Sequence, residues 1–166
     1  MATEKEQGFK ERFNYAKVAP GAYRAMSSLE HYLHESGLEE SLLHLIKLRT
    51  SQINGCAYCI DMHWKDLKSI GVEDQRLYEL NAWRETPFYS DRERAALAWT
   101  EAVTRVADTH VPDELYEEVR QHFNEKELAD LTLAIAAINA WNRLAISART
   151  EPGTYQVPKI KLQKEA

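Results

Sequence analysis

Apolar residues recur at helical intervals along most of this chain, and no stretch shows the strict two-residue alternation of a half-buried strand. The clearest marks lie at the ends of the apolar runs. Pro20 suits the first turn of a helix, where its missing N–H has no partner in any case. A helix is therefore predicted over "PGAYRAMSSLEHYLHESG", with Gly37 as its stop. From about Glu39 to Ile53, Leu42, Leu45, Ile46 and Ile53 fall on one face. Asn54-Gly55 breaks that run, because the pair favours turns with positive φ. The next helix is predicted from about Cys56 to Ile70, ending at Gly71.

A short polar helix is expected near residues 74 to 82. Beyond it, "YSDRERAALAWTEAVTRVAD" opens with Ser90 and Glu93 at capping-box spacing and sets Ala95, Trp99, Ala102, Val103 and Val106 along one face. Pro112 is expected to start another helix, and Asn124 with Glu127 three residues later to start the last. In that last segment, "EKELADLTLAIAAINAWNRLAISART", residues such as Leu128, Leu131, Leu133, Ile138 and Leu144 ring nearly the whole circumference. Such a helix belongs at the centre of the molecule. The expected fold is all-α, a helical bundle around a buried C-terminal helix. A polar segment covers residues 1–19, the helical domain 20–150 and an extended tail 151–166.

Composition narrows the function classes. A chain of 166 residues with 44% hydrophobic and 28% charged residues has enough apolar surface for one core and too little length for two ordinary domains. Its formal net charge is −5, and its basic residues are dispersed, so the footprint of a nucleic-acid binder is missing. The charged start "MATEKEQGFKERFNYAK" lacks the apolar core of a signal peptide, and no stretch is expected to approach the roughly 18 apolar residues a membrane helix needs. The expectation is a cytoplasmic protein with neither nucleic acid nor membrane as partner.

In a reducing compartment, the chain's two cysteines acquire significance. Cys56 and Cys59 form a C-x-x-C pair at the start of a predicted helix, and His63 follows Cys59 by one turn. First-turn N–H groups and the helix dipole lower the pKa of a nearby thiol, and an imidazole at i+4 can accept its proton. A nucleophile, a resolving thiol and a proton carrier suffice to reduce a peroxide and store the oxidising equivalent as a disulfide. Core packing of two small hydrophobes remains an alternative. Zinc needs a fourth ligand and usually a second ligand pair; none is evident, although His44 or another histidine can serve, and no stoichiometric zinc is expected. Haem attachment requires histidine where Ile60 stands, and a thioredoxin fold requires strands. Trp83, Trp99 and Trp141 are read as core residues, and Asn139 with Arg143 as a brace between helices or subunits.

The segments "LRTSQINGCAYCIDMHWKDL", "NAWRETPFYSDRERAALAWTEAVT" and "LAIAAINAWNRLA" together resemble the AhpD-like alkylhydroperoxidase branch of the carboxymuconolactone decarboxylase superfamily, over roughly residues 12 to 150. The resemblance implies an all-α fold, homo-oligomers such as trimers or hexamers, and thiol-dependent peroxidase activity. It also implies a dithiol reductant of the thioredoxin-like or lipoyl-protein kind and no bound cofactor. Carried over by position, Cys59 is the attacking thiol, Cys56 its disulfide partner and His63 the relay histidine. The family pattern has a glutamate twelve residues before the first cysteine and a histidine just before the second; here those positions hold His44 and Tyr58. His44 can substitute as a relay group, while Tyr58 reads as a packing residue. Cys56, nearer the helix N-terminus, is expected to be the better exposed thiol and the point of exchange with the reductant. Two other readings stay open: a decarboxylase-like enzyme acting on a small cyclic acid, and a redox-responsive assembly protein.

Overall fold

The structure, a computed structural model, describes residues 10–158. Nine α-helices occur among them: α1 (Tyr15–Val18), α2 (Pro20–His34), α3 (Glu40–Asn54), α4 (Ala57–Ser69), α5 (Asp74–Tyr78), α6 (Asp91–Thr104), α7 (Val106–Thr109), α8 (Asp113–Arg120) and α9 (Glu125–Ala148). A 3₁₀ helix, Leu80–Glu85, joins α5 to α6, and no strand is present among the described residues. The all-α expectation holds.

Local chemistry explains the boundaries. Ser90 and Glu93 form a capping box at α6, and Asn124 and Glu127 form one at α9. Pro20 occupies the first position of α2. Gly55 ends α3 in the left-handed region, φ 70°, which turns the chain back so that α4 packs along α3. One boundary departs from the periodicity. The run through Val106 breaks at Arg105, so Val106 belongs to α7 and is 54% exposed. The break lacks a Gly or Pro signal that sequence reading could use.

Helix α9 is central, touching α2, α3, α4, α6 and α8, and α3 shares the middle through its contacts with α4, α6 and α9. The largest core cluster joins Leu43 and Ile46 to Ala96, Phe123, Leu131 and Ile135. A second sits under the 3₁₀ helix around Leu48, Leu67, Leu80 and Leu97, and the third joins Cys56 and Cys59 to Ile138. Trp83 and Trp99 are buried. Leu133 and Leu144 are less enclosed than the ring pattern implies: Leu133 is exposed and Leu144 half-buried. By length and composition, α9 is apolar enough to cross a membrane, which the sequence reading did not register. In this fold it is a core helix, and Asp130 and Asn142 on it are buried with hydrogen-bond partners.

Every residue of α3 from Leu42 to Ser51 is buried, polar ones included, so the helix must bring its partners with it. Asn54 Nδ2 donates to the side-chain oxygens of Asn139 and Asn142, both at 2.9 Å, and Asn142 donates to Ser51 Oγ at 3.0 Å. That network fixes α3 against α9 and gives Asn139 the bracing role its spacing predicted. On the opposite side, Glu101 of α6 accepts from Arg49 at 2.7 Å and from Trp83 Nε1 at 3.0 Å, and pairs with Arg84.

Burial works against the Glu101 charge, yet hydrogen bonds from Arg84, Trp83 and Arg49 hold its carboxyl below the usual range. A depressed carboxyl contributes stability above its unfolded pKa, about 4.3, and that contribution is lost as pH falls through the folded value. Glu101→Gln is expected to lower the unfolding free energy at pH 7 by about 1.5–3 kcal/mol. In urea titrations the gap to wild type should shrink below about pH 4; a gap independent of pH would contradict this assignment.

Candidate active site

The α3–α4 turn places Cys56 at the N-cap of α4, where its sulfur accepts from the Cys59 N–H at 3.4 Å. The two cysteines are joined in a disulfide, with Cα atoms 5.3 Å apart. Each is 1% exposed, so the expectation of a better exposed Cys56 is not met. Its N-cap position is a local property, whereas its cover comes from the packing around Ile138 of α9. The cysteines differ in direction instead: Cys59 lines a cavity of about 790 Å³ and Cys56 does not.

His63 and Asp66, one further turn along α4, and His44, facing them from α3, line the same cavity. His44 Nδ1 is 3.4 Å from His63 Nδ1 and 3.5 Å from Asp66 Oδ2, and His63 Nδ1 is 3.4 Å from the same oxygen. Asp66 Oδ1 accepts from the Tyr155 hydroxyl at 2.7 Å. The segment carrying Tyr155 is tied back to α4, with Lys65 Nζ donating to Tyr155 O at 3.0 Å and Gly153 N to Asp61 at 3.2 Å. Across the cavity, Glu30 of α2 pairs with buried Lys47 and accepts from Trp141 Nε1 at 3.0 Å. Trp141 is thus a cavity wall rather than a core residue.

Electrostatics set the resting charges. Burial pushes the His44 pKa down to about 4, helped by the neighbouring His63 and opposed by Asp66. Burial also lowers His63, against the hydrogen bond to Asp66. Asp66 resists the same desolvation because His63 and Tyr155 hydrogen-bond to it, and its carboxyl lies below the ordinary range. At neutral pH the cluster is two neutral imidazoles and one carboxylate. His63 Nε2 is buried and has no hydrogen-bond partner among the described residues. Burial raises Tyr58, which suits its reading as a neutral wall residue.

Of the four residues singled out from the sequence, Cys59, His63 and His44 therefore meet at one cavity, with Cys56 behind Cys59. Sequence reading missed Asp66, although its place three residues after His63 on one helix was a usable signal. It also missed Tyr155, Lys47 and Glu30, for which no local pattern exists.

The model of the family described as "Carboxymuconolactone decarboxylase family" matches residues 20–102. The chain belongs to the carboxymuconolactone decarboxylase family. Among relatives, the uncharacterized protein YdfG of Bacillus subtilis is 44% identical over 82% of this chain and 93% of its own. Among solved structures, a protein of unknown function from Agrobacterium tumefaciens, with a suggested role as the antioxidant defence protein AhpD, is 46% identical. It superposes with a TM-score of 0.85 over 88% of this chain and 100% of that one. An uncharacterized peroxidase-related protein from Ralstonia eutropha, with an alkylhydroperoxidase AhpD core, shares the fold at 22% identity and a TM-score of 0.75, covering 90% and 80% of the two chains. The fold is thus that of the AhpD-like branch. Within the family span lie His44, Cys56, Cys59, His63 and Asp66; Trp141 and Tyr155 are added from beyond it.

Protein purified in air should have an intact mass lighter by two hydrogens than the same protein after dithiol treatment, with no alkylatable thiol before reduction and two after it. Two free thiols in air-purified, denatured protein would contradict the Cys56–Cys59 pairing.

Proposed function

We propose that the protein is a thiol-dependent peroxidase that reduces hydroperoxides through a Cys56/Cys59 dithiol–disulfide cycle, with His63 as proton shuttle. The observation that carries this reading is the disulfide whose cavity-side sulfur, Cys59, shares a wall with His63, His44 and Asp66.

In the reduced protein, neutral His63 takes the Cys59 proton, and the Asp66 carboxylate stabilises the imidazolium that results. The Cys59 thiolate attacks the outer peroxide oxygen; the O–O bond breaks, and His63 returns the proton to the departing alkoxide, releasing an alcohol. The Cys59 sulfenic acid then condenses with the Cys56 thiol, forming the disulfide and releasing water. An external dithiol supplies two electrons and two protons to reset the pair. Exchange with the reductant was expected at Cys56; because Cys56 is buried and Cys59 is the sulfur on the cavity side, the dithiol attacks Cys59 instead, and Cys56 departs as a thiolate favoured by the N-terminus of α4. His44 extends the relay to the cavity. It occupies the position of the family glutamate, and its imidazole passes protons without adding a fixed charge.

The dithiol separates this reading from a decarboxylase acting on a cyclic acid, whose chemistry has no use for a reversible disulfide. Turnover separates it from a redox-responsive assembly protein, which oxidises once. A homo-oligomer, a thioredoxin-like or lipoyl-protein donor and a reducing, cytoplasmic setting complete the proposal.

Steady-state peroxide loss with a panel of dithiol donors is the decisive measurement, and no donor-dependent turnover would sink the reading. Cys59→Ser should be nearly inert. Cys56→Ser should consume one equivalent of peroxide and accumulate a sulfenic acid trappable on Cys59. His63→Ala should slow the oxidation step by about 10²-fold or more while a strong oxidant still forms the disulfide. Sulfenic acid found on Cys56 in Cys59→Ser would reverse the order of attack.

A further inference from the structure

The His44–His63–Asp66 cluster has a geometry that the thiol cycle does not require. The separations of 3.4, 3.5 and 3.4 Å between His44 Nδ1, His63 Nδ1 and Asp66 Oδ2 exceed the roughly 2.7–3.2 Å of a good N–H···O bond. They agree instead with the edge of a tetrahedron. Donors bound to one ion at about 2.0–2.1 Å stand about 3.3–3.4 Å apart. The three atoms lie between α3 and α4, each residue offering one ligand atom within 4.8 Å of the others, and a cation there would take the place of the proton that His63 now shares with Asp66. We propose that His44, His63 and Asp66 form a binding site for a zinc-class divalent cation, with the fourth position turned to the cavity.

The donor set selects the ion class. Two imidazoles and one carboxylate suit Zn²⁺ and its borderline neighbours, whereas Ca²⁺ and Mg²⁺ take about six oxygen ligands. An outer contact orients one donor as well. Tyr155 donates to Asp66 Oδ1 and leaves Oδ2 to the ion. The Lys47 ammonium, a charge that opposes a cation here, is neutralised by Glu30.

This site goes beyond the peroxidase reading and departs from the expectation that no zinc is held. That expectation counted donors around Cys56, Cys59 and His63, and omitted Asp66. Occupancy and proton relay exclude each other, because both use His63, so the cation inhibits peroxide reduction.

The test uses the full chain with both cysteines replaced, Cys56→Ser with Cys59→Ser, beside the wild type. Zn²⁺ is titrated by calorimetry, and Co²⁺ serves as a spectroscopic probe of tetrahedral coordination. One equivalent should bind in both proteins, with the intense visible bands of tetrahedral Co²⁺. His44→Gln and Asp66→Asn should each weaken binding by more than about 100-fold, and Tyr155→Phe, which removes only an outer hydroxyl, by about 10-fold. The Tyr155 variant keeps the test independent of any folding defect in the ligand variants. Failure of wild type to bind, binding that survives both ligand variants, or binding that vanishes with the cysteines would each overturn the site. The double-serine protein has no thiol cycle, so this result stands or falls apart from the peroxidase assay.

Discussion

The ionised carboxyl of Asp66, held in a wall that little water reaches, is the constraint around which the rest of the site is arranged. A lone carboxylate in such a place would take up a proton to escape the cost of desolvation. Asp66 keeps its charge because His63 comes from its own helix, His44 from α3, and Tyr155 from 89 residues further along. Each of those contacts demands something of the chain. The sharp turn at Asn54-Gly55 lays α4 against α3, and the segment after α9 must return over α4 to deliver the Tyr155 hydroxyl. The disulfide inherits its place from this arrangement, since the turn that brings His44 to Asp66 also sets Cys56 at the N-cap of α4, where Ile138 of α9 covers it.

A helix enclosed on every side needs internal partners for its polar groups, and α3 shows how that need becomes positional control. Lys47 meets Glu30, Arg49 meets Glu101, and the Ser51–Asn54 end meets Asn139 and Asn142. A slip of α3 by one turn would strand several of these groups in apolar surroundings, at roughly 1–3 kcal/mol for each unsatisfied one. The register of α3 against α9 is thereby restricted. With it come the distance between His44 and His63 and the contact of Ile138 with the cysteines. The span common to the family carries the thiols and the relay cluster, whereas Trp141 and Tyr155, from outside that span, shape the cavity around them.

Element boundaries were legible where the signal is local. Pro20, Gly55 and the two capping boxes act through their immediate neighbours, so sequence and structure agree there. The break at Arg105 carries no such mark, and it was invisible for that reason. At the site, Cys56, Cys59 and His63 share one helix, so helical periodicity sufficed to group them, and Asp66 was within reach of the same argument. His44 was assigned to the relay only through resemblance to a family, because no periodicity links α3 to α4.

The sequence by itself determined most of the longer helices, the turn at Asn54-Gly55 and the thiol–imidazole spacing along α4, all of which depend on interactions within a few residues. Only the tertiary structure decided that both thiols are buried and that Cys59 alone faces the cavity. It alone decided, too, that His44, Asp66 and Tyr155 converge beside His63. Burial and convergence depend on which helix face meets which neighbour across the molecule, and that outcome comes from packing the whole chain at once.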